Sequence, residues 1–91
     1  MTKLEKIRKQ LDLIDNKIVE ILQERAKLIM KIKEVKENEK IRIKDPKREQ
    51  YILEKMENNY EREIFKKILL ESRKLQAKDT QKAALQKPGK I

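Results

Sequence analysis

Apolar residues recur along the first third of the chain in steps that alternate between three and four. These positions, which we call the seam, are Leu4, Ile7, Leu11, Ile14, Ile18, Ile21, Leu28, Ile32 and Val35. The series has one interruption, at Arg25. Such spacing is typical of a long helix with a coiled-coil-like contact. We therefore expect a first helix from about Thr2 to about Lys36, with Thr2 as its N-cap and Glu5 completing a capping box.

This helix would be roughly 50 Å long at the usual rise per residue, more than a small domain needs. Two shorter helices of the same chain cannot cover its apolar stripe, so a second copy is expected. Arg25 raises a separate question, because a guanidinium stays protonated and is costly in a seam unless an anion meets it. Either a carboxylate of the second helix or a ligand must supply that anion.

The remainder of the chain predicts two further helices. The periodicity stops at residues 37–40, which we interpret as a loop, and 41–43 is a brief extended segment. Asp45 as N-cap and Pro46 at the first helical position open helix 2. The pair Asn58-Asn59 indicates a short break before helix 3.

Helix 3 is expected from about Glu61 to Ala77. Its buried stripe comprises Ile64, Phe65, Ile68, Leu69, Ser72, Leu75 and Gln76. The stripe turns polar where a core would normally continue. We expect a helical domain at residues 1–77 and a basic, disordered tail at residues 78–91.

Composition supports an all-α fold and narrows the chemistry. The chain has 91 residues, of which 45% are charged, with one Gly and two Pro. It has no Cys and no His, which disfavours a hydrolase triad or a zinc site. Without an apolar run of about 20 residues or a signal-peptide core, we expect a cytoplasmic protein with no membrane partner. The net charge of +9 fits nucleic acid, a small polyanion, or simply a solvated charged surface.

Polar residues occupy core-like positions on all three expected helices. Arg25 and Lys36 lie three turns apart on one face, at a separation of roughly 16 Å. Arg8 is roughly 25 Å from Arg25 along the axis, so it would complete a site only in the other subunit of a dimer. The others are Arg48, Glu49, Ser72 and Gln76, with Asp45 beside them. Taken singly, each has a plain structural explanation, such as a cap, a surface charge or an interface hydrogen bond.

Together these residues resemble the all-helical chorismate mutases, a family of interlocked three-helix dimers. The resemblance covers essentially residues 4–76. The matching segments are Ile7-Arg8 through Leu11, Ile14-Asp15, Glu24-Arg25, Lys36, Asp45-Pro46-Lys47-Arg48-Glu49, and Phe65 through Ser72 to Gln76. The connection between helices 2 and 3 is shorter than in many members of the family.

The resemblance implies an isomerase that rearranges chorismate to prephenate, a step toward phenylalanine and tyrosine, in a homodimer with shared active sites. It implies neither a metal nor a cofactor. Arg25, Arg48 and Arg8 of the partner subunit would bind the two substrate carboxylates, with Ser72 near one of them. The residues that would donate to the ether oxygen are Lys36 and Gln76, and those that would hold the ring hydroxyl are Glu49 and Asp45.

The chemistry of the residues agrees with this implication. A Claisen rearrangement needs no nucleophile, metal or obligatory proton transfer, so the lack of His and Cys is no obstacle. Catalysis would come from holding the reactive conformer and stabilising negative charge on the ether oxygen. Two alternatives remain open: an isochorismate pyruvate lyase on the same fold, and a basic helical dimer that binds nucleic acid or protein. We favour the mutase with a small dianionic substrate and no nucleic-acid partner.

Overall fold

A computed structural model of the protein describes residues 2–77. Within this range the chain forms three α-helices and no strand: α1 at Lys3–Glu39, α2 at Pro46–Glu54 and α3 at Asn59–Ala77. The predicted all-helical, three-helix chain is therefore confirmed for the described residues. The predicted tail at residues 78–91 lies outside them. None of the described helices is both long enough and apolar enough to cross a membrane.

The start of α1 agrees with the sequence prediction. Thr2 is its N-cap, and the Thr2 hydroxyl oxygen accepts the backbone N–H of Glu5 at 3.1 Å. The same hydroxyl donates to the Glu5 carboxylate at 3.2 Å. The cap satisfies one of the backbone donors that every helix leaves open at its N-terminus.

The predicted loop at residues 37–40 is wrong, because α1 continues to Glu39. The helix ends on Lys40, which has a left-handed conformation with φ of 56°. The N–H of Ile41 bonds to the carbonyl of Lys36 at 2.8 Å, and the N–H of Lys40 bonds to that of Glu37 at 3.4 Å. These bonds form a Schellman-type cap. The apolar pattern stops before the helix does, since this last turn is exposed.

Caps also fix the limits of α2 and α3. The Asp45 carboxylate accepts the N–H of Arg48 at 3.1 Å, and Pro46 occupies the first turn, as predicted. The Asn58 side chain accepts the N–H of Glu61 at 2.9 Å. As a result α3 begins at Asn59, two residues earlier than expected. The predicted break is thus the cap of α3.

The core of the described chain is small and lies between α1 and α3. Its buried apolar side chains are Ile29, Met30 and Leu69, and its buried polar ones are Lys33, Ser72 and Gln76. The predicted stripe of α3 is buried at Leu69, Ser72 and Gln76, but Ile64 is 45% exposed because no element of residues 2–77 covers it. All nine seam residues of α1 are exposed too. The described part of one chain therefore leaves much of its apolar surface in contact with solvent.

Candidate active site

A cavity of about 290 Å³ lies where the C-terminal half of α1 faces α2 and α3. We call it the central cavity. It is lined by seven of the eight residues singled out in the sequence: Arg25, Lys36, Asp45, Arg48, Glu49, Ser72 and Gln76. The eighth, Arg8, lies on the exposed N-terminal part of α1 and does not line it. The structure thus gathers all the predicted residues except the one expected to act across a dimer.

Arg25 projects from α1 onto α3, where its guanidinium donates to the Ser72 hydroxyl. The Ser72 hydroxyl itself donates a hydrogen bond to the carbonyl of Ile68 at 2.7 Å, so its oxygen lone pairs remain available to accept from Arg25. No described carboxylate forms an ion pair with Arg25, so the alternative of a structural pair with helix 2 is wrong for this part of the chain. Burial, and next the charge of Arg48, lower the pKa of Arg25. An anion in the cavity would favour the charged guanidinium and so oppose both effects.

Lys36 and Gln76 lie at the end of the cavity formed by the last turns of α1 and α3. The Lys36 ammonium donates to the carbonyl of Ile43 at 2.6 Å, which ties α1 to the segment before α2. An ammonium has three N–H groups, so two remain for other acceptors. Lys36 is partly buried, which does not fit a simply solvated charge.

The side chain of Gln76 is only partly satisfied. The residue is 7% exposed, and its amide nitrogen makes a long bond of 3.4 Å to the carbonyl of Ser72. Its oxygen is buried without a hydrogen-bond partner among the described residues. An unsatisfied buried polar atom is costly, typically by about 1–3 kcal/mol, and such atoms are often found at functional sites. A half-turn of the amide would exchange its donor and acceptor.

The first turn of α2 presents three polar side chains to the cavity. Asp45 caps the helix with one carboxylate oxygen and thereby fixes the turn that carries Arg48 and Glu49. The Arg48 guanidinium lies 5.5 Å from the ring centre of Tyr51 and is exposed. Glu49 is partly buried and forms an ion pair with Arg73 of α3.

Arg73 is a cavity residue that the sequence analysis missed. It follows Leu69 by four residues and precedes Gln76 by three, a spacing that puts all three on one face of α3. That spacing can be seen in the sequence. However, an arginine next to Ser72 cannot be distinguished by sequence alone from an ordinary surface charge. With Arg73 the cavity wall carries four cationic side chains and two carboxylates, an excess of two positive charges.

No group of three or more His, Cys, Asp or Glu side chains among the described residues is placed to hold a metal ion. The arrangement offers fixed cations and N–H donors around a small space. Such a site can bind a compact anion and stabilise negative charge that develops within it.

A family model described as chorismate mutase type II matches residues 7–77, which include Arg8 and every residue that lines the central cavity. The chain belongs to this family. The predicted isomerase activity, that of a chorismate mutase, is confirmed by this membership, whereas the roles of the individual residues stay predictions. No finding favours the lyase or the nucleic-acid-binding alternative.

Two curated relatives of this chain agree with the family assignment. The chorismate mutase of Methanocaldococcus jannaschii is 41% identical over an alignment of 71 residues, and the match covers 72% of each chain. The bifunctional chorismate mutase/prephenate dehydratase of Aquifex aeolicus is 43% identical over 56 residues, which are 62% of this chain but 16% of the relative. No solved structure gives a significant match.

Proposed function

We propose that this chain rearranges chorismate to prephenate in the central cavity. The observation that carries the proposal is Arg25, a partly buried guanidinium with no carboxylate partner among the described residues, at the wall of a cavity with an excess of two positive charges. A substrate with two carboxylates would balance that excess. The cavity volume of about 290 Å³ is near the lower end of small-molecule pockets, which span about 300–1,000 Å³.

The two substrate carboxylates are assigned to the guanidinium groups. Ser72 holds one N–H of Arg25 and leaves the others free for a carboxylate. Arg48 is close enough to lower the pKa of Arg25, so both cations would act on the same small anion. Arg8 of the partner subunit would supply the third guanidinium.

Lys36 and Gln76 are assigned to the ether oxygen of the breaking bond. The bond from Lys36 to the Ile43 carbonyl restricts the ammonium while leaving donors available. The Gln76 amide is buried and incompletely bonded, so turning a donor toward a substrate oxygen would cost little of its present bonding. Both groups would stabilise negative charge that is larger in the transition state than in the substrate, which is the condition for a gain in kcat.

The ring hydroxyl is assigned to Glu49 together with Asp45. Both carboxylates stand on the first turn of α2 and line the cavity. Each already has one partner, Arg73 for Glu49 and the N–H of Arg48 for Asp45. A carboxylate has lone pairs to spare and can accept a further hydroxyl proton.

The working form we propose is an interlocked homodimer with shared active sites. Seam residues of the N-terminal half of α1, such as Ile7 at 55% and Ile14 at 52%, are exposed in one chain. A second copy is the natural cover for a long seam of this spacing. It would also bring Arg8 of the partner subunit toward the cavity.

The catalytic unit in this proposal is residues 1–77, which the family match at residues 7–77 supports. The basic residues 78–91 are not needed for any role assigned here. The cytoplasmic location also stays a prediction.

The decisive experiment is an assay of chorismate disappearance with identification of the product. Prephenate is the expected product. Pyruvate released from isochorismate would instead support the lyase, and no turnover of either compound would leave a binding module.

A further inference from the structure

The ion pair between Arg73 and Glu49 is the one contact through which a cation of α3 reaches a carboxylate of α2 in the described chain. Arg73 donates to Oε2 of Glu49. Both side chains are mostly buried, with exposures of 26% for Arg73 and 20% for Glu49. The other ion pairs in the described residues join neighbours three or four positions apart on one helix. This pair is therefore set by the tertiary fold.

The pair leaves half of the Glu49 carboxylate unused. Oε2 is held by Arg73, whereas no described group donates to Oε1. A hydrogen bond from a guanidinium has a more fixed direction than one from an ammonium, because the guanidinium is planar and its N–H groups do not rotate freely. The contact from Arg73 anchors the carboxylate at Oε2 and so favours an orientation that leaves Oε1 free, and both residues line the central cavity.

We propose that Arg73 is a positioning residue that holds Glu49 so that Oε1 accepts the ring hydroxyl of the substrate. The inference rests on the proposed function of the cavity. In this arrangement Arg73 acts on the reaction through Glu49. The benefit should therefore depend on the hydroxyl that Glu49 receives.

The test compares two substrates, chorismate and an analogue that lacks the ring hydroxyl but still undergoes the rearrangement. Values of kcat and KM are measured for the wild type, Arg73→Met and Arg73→Lys. Lys74→Met is the matched control, since Lys74 is a cation on the next position of α3 that pairs with Glu71 away from the cavity. Circular dichroism and thermal unfolding establish that each variant is folded.

We expect Arg73→Met to lower kcat/KM about ten- to a hundredfold for chorismate, the usual range for losing a hydrogen bond to a charged group. The loss for the analogue should be less than about threefold. Arg73→Lys, which keeps the charge but not the fixed N–H directions, should recover part of the activity toward chorismate. Lys74→Met should match the wild type with both substrates.

An equal loss with both substrates would mean that the pair only supports the fold and would overturn the proposal, as would an unchanged kcat/KM. If Arg73→Met does not fold, the same selectivity is required of Arg73→Lys, and a non-selective loss there overturns it equally. A wild type that does not convert chorismate would refute the proposed function itself. An active wild type with a non-selective Arg73 effect would refute this inference alone.

Discussion

The two halves of α1 share one apolar spacing but differ in what their own chain buries. No residue of the N-terminal half, 3–24, is buried, whereas the C-terminal half, 25–39, buries Ile29, Met30 and Lys33. Even in the C-terminal half the apolar seam residues are exposed, Leu28 at 57% and Ile32 at 42%, although Ile32 also borders the central cavity. The buried side chains stand beside the seam. The contrast teaches that the seam and the intrachain core are different faces of one helix.

The two halves of α1 therefore differ in their relation to the central cavity. The face that carries Arg25 and Lys36 belongs to the central cavity, together with Ile29 and Ile32 between them. The N-terminal half contributes nothing to that cavity within its own chain. Its apolar surface and Arg8 acquire a role only if a second chain covers them.

The largest expected effect comes from the C-terminal half, at Arg25. Arg25→Ala should lower kcat/KM about a thousandfold or more, because it leaves a substrate carboxylate without its buried cation. Steady-state kinetics on chorismate measures this. Lys27→Ala, an exposed cation two residues away, is the control and should behave as the wild type. If Arg25→Ala lowers kcat/KM less than tenfold, Arg25 does not bind a substrate carboxylate.

Gln76→Glu tests the other end of the cavity, beside Lys36, through the pH dependence of activity. A neutral carboxyl can donate to the ether oxygen, whereas an ionised one cannot and repels the charge that develops there. Activity of the variant should therefore rise as pH falls, with a deficit of about a hundred- to a thousandfold above neutral pH. Burial raises the pKa of an introduced carboxyl and the Lys36 charge lowers it, so the midpoint reports which effect is larger. A profile of kcat/KM parallel to that of the wild type would make Gln76 a packing residue.

The N-terminal half is tested by a charge in the seam. Ile14→Glu places a carboxylate on a surface that the single chain leaves exposed, so an isolated chain would tolerate it. If a second copy covers the seam, the dimer dissociation constant should rise about a hundredfold or more, because the charge must be desolvated in both copies. Analytical ultracentrifugation measures it, with Asn16→Glu, off the seam, as the control. An unchanged association state for Ile14→Glu would refute the proposed interface.

Mixing two inactive variants, one changed in each half of α1, tests whether the two halves contribute to the same active site. An Arg8→Ala chain and an Arg25→Ala chain each lack one guanidinium, but their heterodimer has one site with neither change. After subunit exchange at equal amounts, about a quarter of the wild-type activity should return, given a two-fold dimer and random pairing. Exchange is verified by native mass spectrometry. If proven heterodimers are no more active than the parents, Arg8 does not act across the interface.

The smallest effect is expected at the end of α1. Lys40 has a positive φ of 56°, where a Cβ is unfavourable. Lys40→Gly should stabilise the protein by about 0.5–1 kcal/mol, whereas Lys40→Ala, which keeps the Cβ, should not. Thermal unfolding separates the two. Equal melting temperatures for both variants would mean that this cap contributes no strain.

Most of the fold was predictable because its signals are local. The seam specified α1, and Thr2, Asp45 and Asn58 marked helix starts or breaks through short-range hydrogen bonds. The end of α1 was missed because its last turn is exposed and therefore lacks an apolar pattern. The helix ends at the left-handed backbone conformation of Lys40. Lysine has no preference for that conformation, so the sequence did not indicate it.

The residues that line the cavity were largely predictable from the sequence, but the bonds between them were not. Unusual polar residues on helical faces pointed to Arg25, Lys36, Ser72 and Gln76, and the structure brings them together. The partner of Glu49 was not predictable, because a pair between α2 and α3 depends on how the helices pack. Arginines such as Arg73 are common on helix surfaces, so its sequence context alone does not single it out.

Asp45 is constrained twice, and this has a consequence for natural variation. Its carboxylate caps α2, a task that Ser, Thr or Asn can also perform. It also lines a cavity with an excess of cations, where only a charged side chain offsets the charge. Among good capping residues, Asp alone meets both conditions. Substitutions of Asp45 should therefore be rare in natural variants, even though each constraint by itself would permit other residues.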